Sequence, residues 1–236
     1  NVLFKWDYLK ETGFDWWIKR ISHNLELADI IRIDHFRGLI AFWAVPFGAK
    51  TAKDGNWIEA PANELFEAIN ARLGKLPIIA EDLGVITPDV DAVREKFNLP
   101  GMKILQFAFD NSESNPYLPH FYEQNSVVYT GTHDNDTVIG WYNALDSDVK
   151  LKLHKYAGSI GNDLHWTMIR LAWASVSRIA VIPLQDVLGL DTRSRMNVPG
   201  TLSDNWQWRF LEGQLHEEYG VKLLELSTLY NRIHPA

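Results

Sequence analysis

The chain has 236 residues, 46% of them hydrophobic and 22% charged, with a formal net charge of −7. This is enough apolar material for a large buried core and excludes a disordered chain, while the acidic balance and the absence of any basic run exclude nucleic acid, whose affinity comes largely from Lys and Arg neutralising phosphates. With no cysteine, disulfides and thiolate metal sites are excluded, and no apolar run approaches the roughly 18–20 residues that span a bilayer.

"NVLFKWDYLK" carries no signal-peptide pattern and reads as mid-chain sequence, which places the expected N-terminus upstream. Residues 11–27 then predict a helix, with Trp16, Trp17, Ile21 and Leu25 on neighbouring turns. The short β-branched run "DIIRIDHF" (29–36) predicts a buried strand. "NELFEAINARLG" (63–74) reads as a helix closed by Gly74, and "LPIIAEDLG" (76–84) as a second apolar strand. A further helix opens with Thr87 as N-cap and Pro88 at its first position. Residues 101–110, 126–134 and 178–186 predict three more strands, and 136–145, 147–157, 163–176 and 210–232 predict helices.

Apolar strands alternating with helices indicate a parallel sheet covered by helices, an α/β arrangement whose active site gathers at the C-terminal strand ends. Those ends read Asp34-His35, Glu81-Asp82, His133-Asp134 and Gln185-Asp186. Five strands fall short of the eight that close a (β/α)8 TIM barrel and would leave bare edges. The expectation is therefore a TIM-barrel type fold of which this chain supplies roughly the C-terminal five strands. It forms one catalytic portion over residues 1–236, since no linker, repeat or low-complexity segment marks a second domain.

Strand alternation turns Arg32 and Asp34 to one side and Ile31 and Ile33 to the other. An arginine beside Asp34 holds that carboxylate ionised, as a nucleophile or charge stabiliser needs to be; the apolar "PIIA" before Glu81 is expected to raise its pKa and suit it to acid catalysis. Asp134 supplies a third carboxylate. One ionised carboxylate facing one protonated carboxyl group is what glycosyl transfer uses, and retention of configuration requires the two about 5–5.5 Å apart. Each acid taken singly also fits an ordinary buried polar group, so only the constellation carries the reading. Ten tryptophans fit stacking on the apolar faces of sugar rings as well as core packing, with Trp206 and Trp208 read as core. "DNDTV" (134–138) also matches the D-x-D-x-[TV] pattern of aspartyl-phosphate phosphatases, but "GTH" separates it from its apolar strand and 133 residues precede it.

Five ordered blocks, "RIDHFRG" (32–38), "FWAVPFGAKTAKDGNWIEAP" (42–61), "AEDLG" (80–84), "TGTHDNDT" (130–137) and "QDVLGLDTRSRMNVPGT…NWQWR" (185–209), together resemble the amylomaltases, the 4-α-glucanotransferases related to the α-amylase clan. The resemblance implies that Asp34 is the nucleophile, Glu81 the general acid/base and Asp134 the carboxylate that stabilises the oxocarbenium-like transition state. It implies sugar contacts for Arg32, His35 and His133, and for Arg195 and Asn197 either sugar contact or a structural role. The implied activity transfers α-1,4-glucan segments between maltooligosaccharides through a glucosyl ester, with no cofactor and no metal, and with no nucleic-acid or membrane partner. The residues assign no oligomeric state, and a cytoplasmic or a plastid location is equally compatible. An α-amylase-like hydrolase and a non-catalytic glucan-binding fragment are the alternatives; "HFRG" after Asp34, in place of the "KH" ending of that strand in amylases, weighs against the hydrolase. Members of the family are about twice as long, and "SDNW" (203–206) stands where many of them have glycine before the asparagine.

Overall fold

Helix formation begins earlier than the periodicity predicts and is interrupted once. In the computed structural model, which describes residues 3–110, 112, 114–158 and 163–233, α1 spans Trp6–Glu11 and α2 spans Asp15–Leu27. The helix expected over 11–27 therefore starts at Asp15. Gly13 and Phe14 lie between the two helices in the left-handed region, at φ 62° and 56°, and Phe14 tolerates this because its ring is buried in the core, 3% exposed. Trp6 and Trp17 stack over the same core with their rings 3° from parallel.

The chain divides into two compact units, Asn1–Met102 and Lys103–Ala236. In the first, β1 (Ile31–Ile33) is followed by a tight turn of 3-10 helix at Phe36–Leu39 and by a hairpin of β2 (Ala41–Ala44) and β3 (Asn56–Glu59). Then come α3 (Ala62–Leu73), β4 (Ile78–Ala80) and α4 (Pro88–Lys96). β1 and β4 run parallel, with Ile31, Arg32 and Ile33 opposite Ile78, Ile79 and Ala80. The alternation expected of β1 holds: Ile31 and Ile33 pack on the core around Phe36, Leu65, Phe66 and Ile69, while Arg32 Nη2 donates to Asp34 Oδ1. The antiparallel hairpin was not legible from period-2 patterning, because every residue of β3 is exposed and the strand has no apolar face to alternate.

The strand β5 (Gly101–Ile104) leads into the second unit, which continues with β6 (Ser126–Tyr129), α5 (Val138–Ala144), α6 (Ser147–Ala157), α7 (Leu164–Ala174), β7 (Ile179–Val181), α8 (Leu184–Val187) and α9 (Glu217–Leu229). The strands lie in the order β5-β6-β7, with β6 and β7 parallel. Leu105, Val128, Val138, Leu153, Leu164 and Met168 form a core between these elements.

Every predicted strand is present but shorter than its apolar run. Residues 105–108 leave the strand for a 3-10 turn, and Gln185-Asp186 sit on α8 rather than at a strand end. The helix expected over 210–232 contracts to α9. Thr87 occupies the N-cap position of α4 without a capping bond; its hydroxyl accepts from Arg37 Nη1 at 3.2 Å instead. Among the described residues the strands form sheets of two, two and three members, an α/β arrangement that does not close into a barrel.

Directly after β4, the carboxylate of Asp82 turns inward. Its Oδ2 lies 3.4 Å from Arg94 Nε, with the two side chains 8% and 6% exposed, and its Oδ1 accepts from Met102 N at 2.7 Å. A Cβ on Gly101 would overlap this carboxylate, so only glycine lets β5 pass so close. Removing one partner of a buried ion pair leaves the other charge uncompensated. Asp82→Ala should therefore lower stability in urea unfolding by about 3–5 kcal/mol.

Candidate active site

In the first unit the site residues are arranged by the β1–β4 register. Ile33 stands opposite Ala80, so the next residues of the two parallel strands are Asp34 and Glu81. Glu81 is bonded to the backbone on either side of Asp34: its N–H donates to Ile33 O at 2.9 Å, its carbonyl accepts from Phe36 N at 3.0 Å, and its Oε2 accepts from His35 N at 2.6 Å. Oε1 accepts from Leu83 N at 2.9 Å. The apolar surround expected for Glu81 ends at Ala80, and the carboxylate meets two backbone donors instead.

Asp34 is the outward member of the pair, its side chain 72% exposed, with the Arg32 guanidinium, 28% exposed, on its Oδ1. His35 is exposed and left-handed at φ 48°, which turns the chain into the 3-10 helix and frees its N–H for Glu81. Arg32, Asp34, His35 and Glu81 thus form one cluster.

In the second unit the loop between β6 and α5 carries His133 and Asp134, and the segment after α8 returns beside it. Asn197 N donates to His133 O at 3.0 Å, Asn197 Nδ2 to Asp134 Oδ1 at 2.6 Å, and Arg195 Nη2 to Asp134 O at 2.7 Å. Arg195 Nε in turn holds Asn197 O at 2.9 Å. The two residues therefore act on Asp134 as a clamp. His133 Nε2 lies 3.5 Å from Asp134 Oδ1.

Trp206, expected in the core, is 53% exposed and packs against the His133 ring with centroids 5.1 Å apart. It is left-handed at φ 63°, held by a 2.7 Å bond from its N–H to Met196 O. Asp204, two residues before it, is also left-handed, at φ 64°, a conformation that glycine adopts without strain. The tryptophans divide: Trp166 is core, whereas Trp16, Trp43, Trp57 and Trp206 are exposed.

Trp206 and His133 border a cavity of about 170 Å³ whose wall also includes Asp136 and Asp186. Asp136 accepts from Thr137 N at 2.7 Å and Thr192 Oγ1 at 2.8 Å. Asp186, 2% exposed, accepts from Thr130 Oγ1 at 2.5 Å and Val138 N at 2.8 Å. Sequence reasoning counted Asp186 among rim carboxylates; its only signal was a position just past an apolar run, which cannot tell a rim acid from a buried one. Among the described residues no group of three or more His, Cys, Asp or Glu is placed to hold a metal ion.

A family model described as 4-alpha-glucanotransferase matches residues 1–214. A 4-alpha-glucanotransferase from Synechocystis sp. is 52% identical over 235 residues, 98% of this chain and 46% of the relative. A chloroplastic/amyloplastic 4-alpha-glucanotransferase from Oryza sativa subsp. japonica is 47% identical over 99% of this chain and 40% of its own. Among solved structures, an amylomaltase from Streptococcus agalactiae in complex with acarbose superposes with a TM-score of 0.94 at 40% identity, covering 98% of this chain and 47% of that one. The chain spans about half the length of the curated relatives it matches.

Burial pushes the Asp186 carboxyl up to about 6, and the charge of Asp136 adds to the effect against the two hydrogen bonds that oppose it. An unfolded aspartate releases its proton near pH 3.9, so between about pH 4 and 6 the folded state keeps a proton that the unfolded state has lost. Stability from this group falls as pH rises through that window, by about 3 kcal/mol over a gap of about two units. Urea unfolding at pH 4 and pH 7 should show this loss in the wild type and its absence in Asp186→Asn.

Proposed function

The chain belongs to the 4-alpha-glucanotransferase family, and from that premise we propose that it is the catalytic portion of an enzyme transferring α-1,4-glucan segments between maltooligosaccharides by retaining double displacement. The reading takes the whole of residues 1–236 as part of one TIM-barrel type catalytic domain completed by upstream sequence. The observation that carries it is the bonding of Glu81 to the backbone on both sides of Asp34. Neighbouring parallel strands lie about 4.8 Å apart, a spacing that suits the roughly 5–5.5 Å between carboxyl groups in retaining glycosyl transfer.

In the first step Asp34 attacks the anomeric carbon, the glycosidic C–O bond breaks, and Glu81 gives its proton to the departing 4-oxygen. The product is a glucosyl ester on Asp34 and a shortened glucan free to leave. In the second step Glu81 takes the proton from the 4-hydroxyl of an incoming glucan, whose oxygen attacks the same carbon and returns Asp34 as carboxylate. Two inversions at one carbon give net retention.

Arg32 on Oδ1 of Asp34 supports a division in which one oxygen is oriented and the other attacks. Asp134 is assigned the negative charge that stabilises the oxocarbenium-like carbon, a task that suits a carboxylate oriented by Asn197. His35 and His133 are assigned sugar contacts. The reading needs no cofactor and no metal. Acceptor binding and exclusion of water decide whether the ester is transferred or hydrolysed. A cytoplasmic location in a bacterium, or a plastid location in a plant, accompanies this reading.

Incubation of the enzyme carrying this chain with maltotriose should yield glucose and a ladder of longer maltooligosaccharides by chromatography. Glucose and maltose without a ladder would instead identify a hydrolase, and binding without turnover a glucan-binding protein. Glu81→Gln should lower kcat by about 10²–10⁴, and Asp34→Asn by about 10⁴–10⁶. Asp134→Asn should also be severely impaired. Near-normal transfer in the Asp34 or Glu81 variant would sink the assignment.

A further inference from the structure

The loop from residue 131 to 137 holds His133 and Asp134 yet has little regular structure of its own, since β6 ends at Tyr129 and α5 starts at Val138. Its internal bonds are short-range: Asn135 Oδ1 accepts from Thr132 N and Oγ1 at 2.8 and 2.9 Å, Asn135 N donates to Thr132 O at 3.1 Å, Asp134 N to Thr132 Oγ1 at 3.3 Å, and Thr137 N to Asp136 Oδ1 at 2.7 Å. The residues that bracket it, Thr130 and Val138, are both fully buried, and both donate to the carboxylate of Asp186, one to each oxygen. A single side chain on α8 thus ties the start of the loop to its end.

We infer that Asp186 is a positioning residue: it staples the 131–137 loop at both ends and thereby holds Asp134 where the proposed transfer needs it. The inference rests on the reading of Asp134 as the stabilising carboxylate.

The chemistry of the group explains why an acid stands in so unfavourable a place. Two separate donors reach it from two elements, and a carboxylate offers two acceptor oxygens at fixed separation where an apolar residue would leave both donors unpaired in the interior. Asp136, a like charge on the same loop, adds to the cost of ionising it. A carboxyl held against burial and a neighbouring carboxylate is retained for the geometry it imposes rather than for net stability. Its neighbours extend that geometry: Gln106, buried, donates to Asp136 O at 2.8 Å, and its backbone N–H donates to Thr130 O at 3.2 Å. Loop ends and loop middle are thus fixed from α8 and from the turn after β5, leaving the Arg195 and Asn197 clamp to set the last orientation of Asp134.

An asparagine at 186 keeps the staple. Its amide oxygen can accept from Val138 N while its NH2 donates to the Thr130 hydroxyl, which turns to accept. An alanine keeps neither bond. A misplacement of about 1 Å costs about 10²-fold in rate. In the intact enzyme Asp186→Ala should lower kcat for transfer from maltotriose about 10²-fold per folded molecule with KM within about threefold, and Asp186→Asn should recover most of that loss.

Hydrogen exchange measured on the same proteins should accelerate about tenfold or more over residues 131–138 in the alanine variant and not in the asparagine variant. Unchanged kcat per folded molecule in Asp186→Ala, equal losses in both variants, or unaltered exchange over 131–138 would each overturn the inference. If the wild-type enzyme shows no transfer at all, the glucanotransferase reading fails on its own, and the exchange comparison by itself upholds or overturns the staple.

Discussion

The parallel register of β1 against β4 is the constraint on which the first cluster depends. Three residue pairs bring Ile33 opposite Ala80, and the chain then leaves both strands at once with a carboxylate next in line on each. A shift by one residue would turn Arg32 and Asp34 into the core and Ile31 and Ile33 out of it. The core around Leu65, Phe66 and Ile69 therefore enforces the placement of the two carboxylates beyond it. The left-handed turn at His35 continues the same constraint, because it points that N–H at Glu81 and closes the bonding around Asp34.

A different device serves the second cluster. There the carboxylate sits on a loop, and loops are positioned by what surrounds them rather than by a ladder of their own. Buried or half-buried polar side chains from three other segments supply that order: Gln106 after β5, Asp186 on α8, and Arg195 with Asn197 beyond it. Such networks are costly when incomplete, since each buried donor left unpaired loses its solvation without compensation. In the first unit the side chain of Asp82 is buried against Arg94 directly beside the half-buried Glu81. In each unit an acid with a buried side chain lies beside a segment that presents a half-buried one.

Most of the secondary structure was legible because burial imposes period. Residues 147–157 match α6 at both ends, and α3 ends where Gly74 predicts. Legibility failed where no face was buried, as in the all-exposed β3. It failed also where apolar periodicity ran through a turn, as at Gly13 and Phe14, and where an apolar run outlasted its hydrogen-bonded strand, as at Leu105–Ala108. The expectation was a five-strand portion of a barrel, short of closure, and among the described residues the strands stand in separate small sheets of an α/β arrangement without a closed barrel.

Residue order alone determined the α/β alternation, the side of β1 on which Arg32 and Asp34 stand, and, through five ordered blocks, the family, because all of these depend on local period or on residue identity at fixed spacing. Which acids are exposed and which are buried was decided by tertiary structure. Glu81 and Asp82 are neighbours at the end of one strand, yet one meets backbone donors beside Asp34 and the other an arginine in the core. Likewise Asp134 is presented by a loop while Asp186, read from sequence as its equal, lies 2% exposed beneath that loop. A carboxylate carries the same letter in either place; only the donors and the packing around it decide which one is presented and which one is buried.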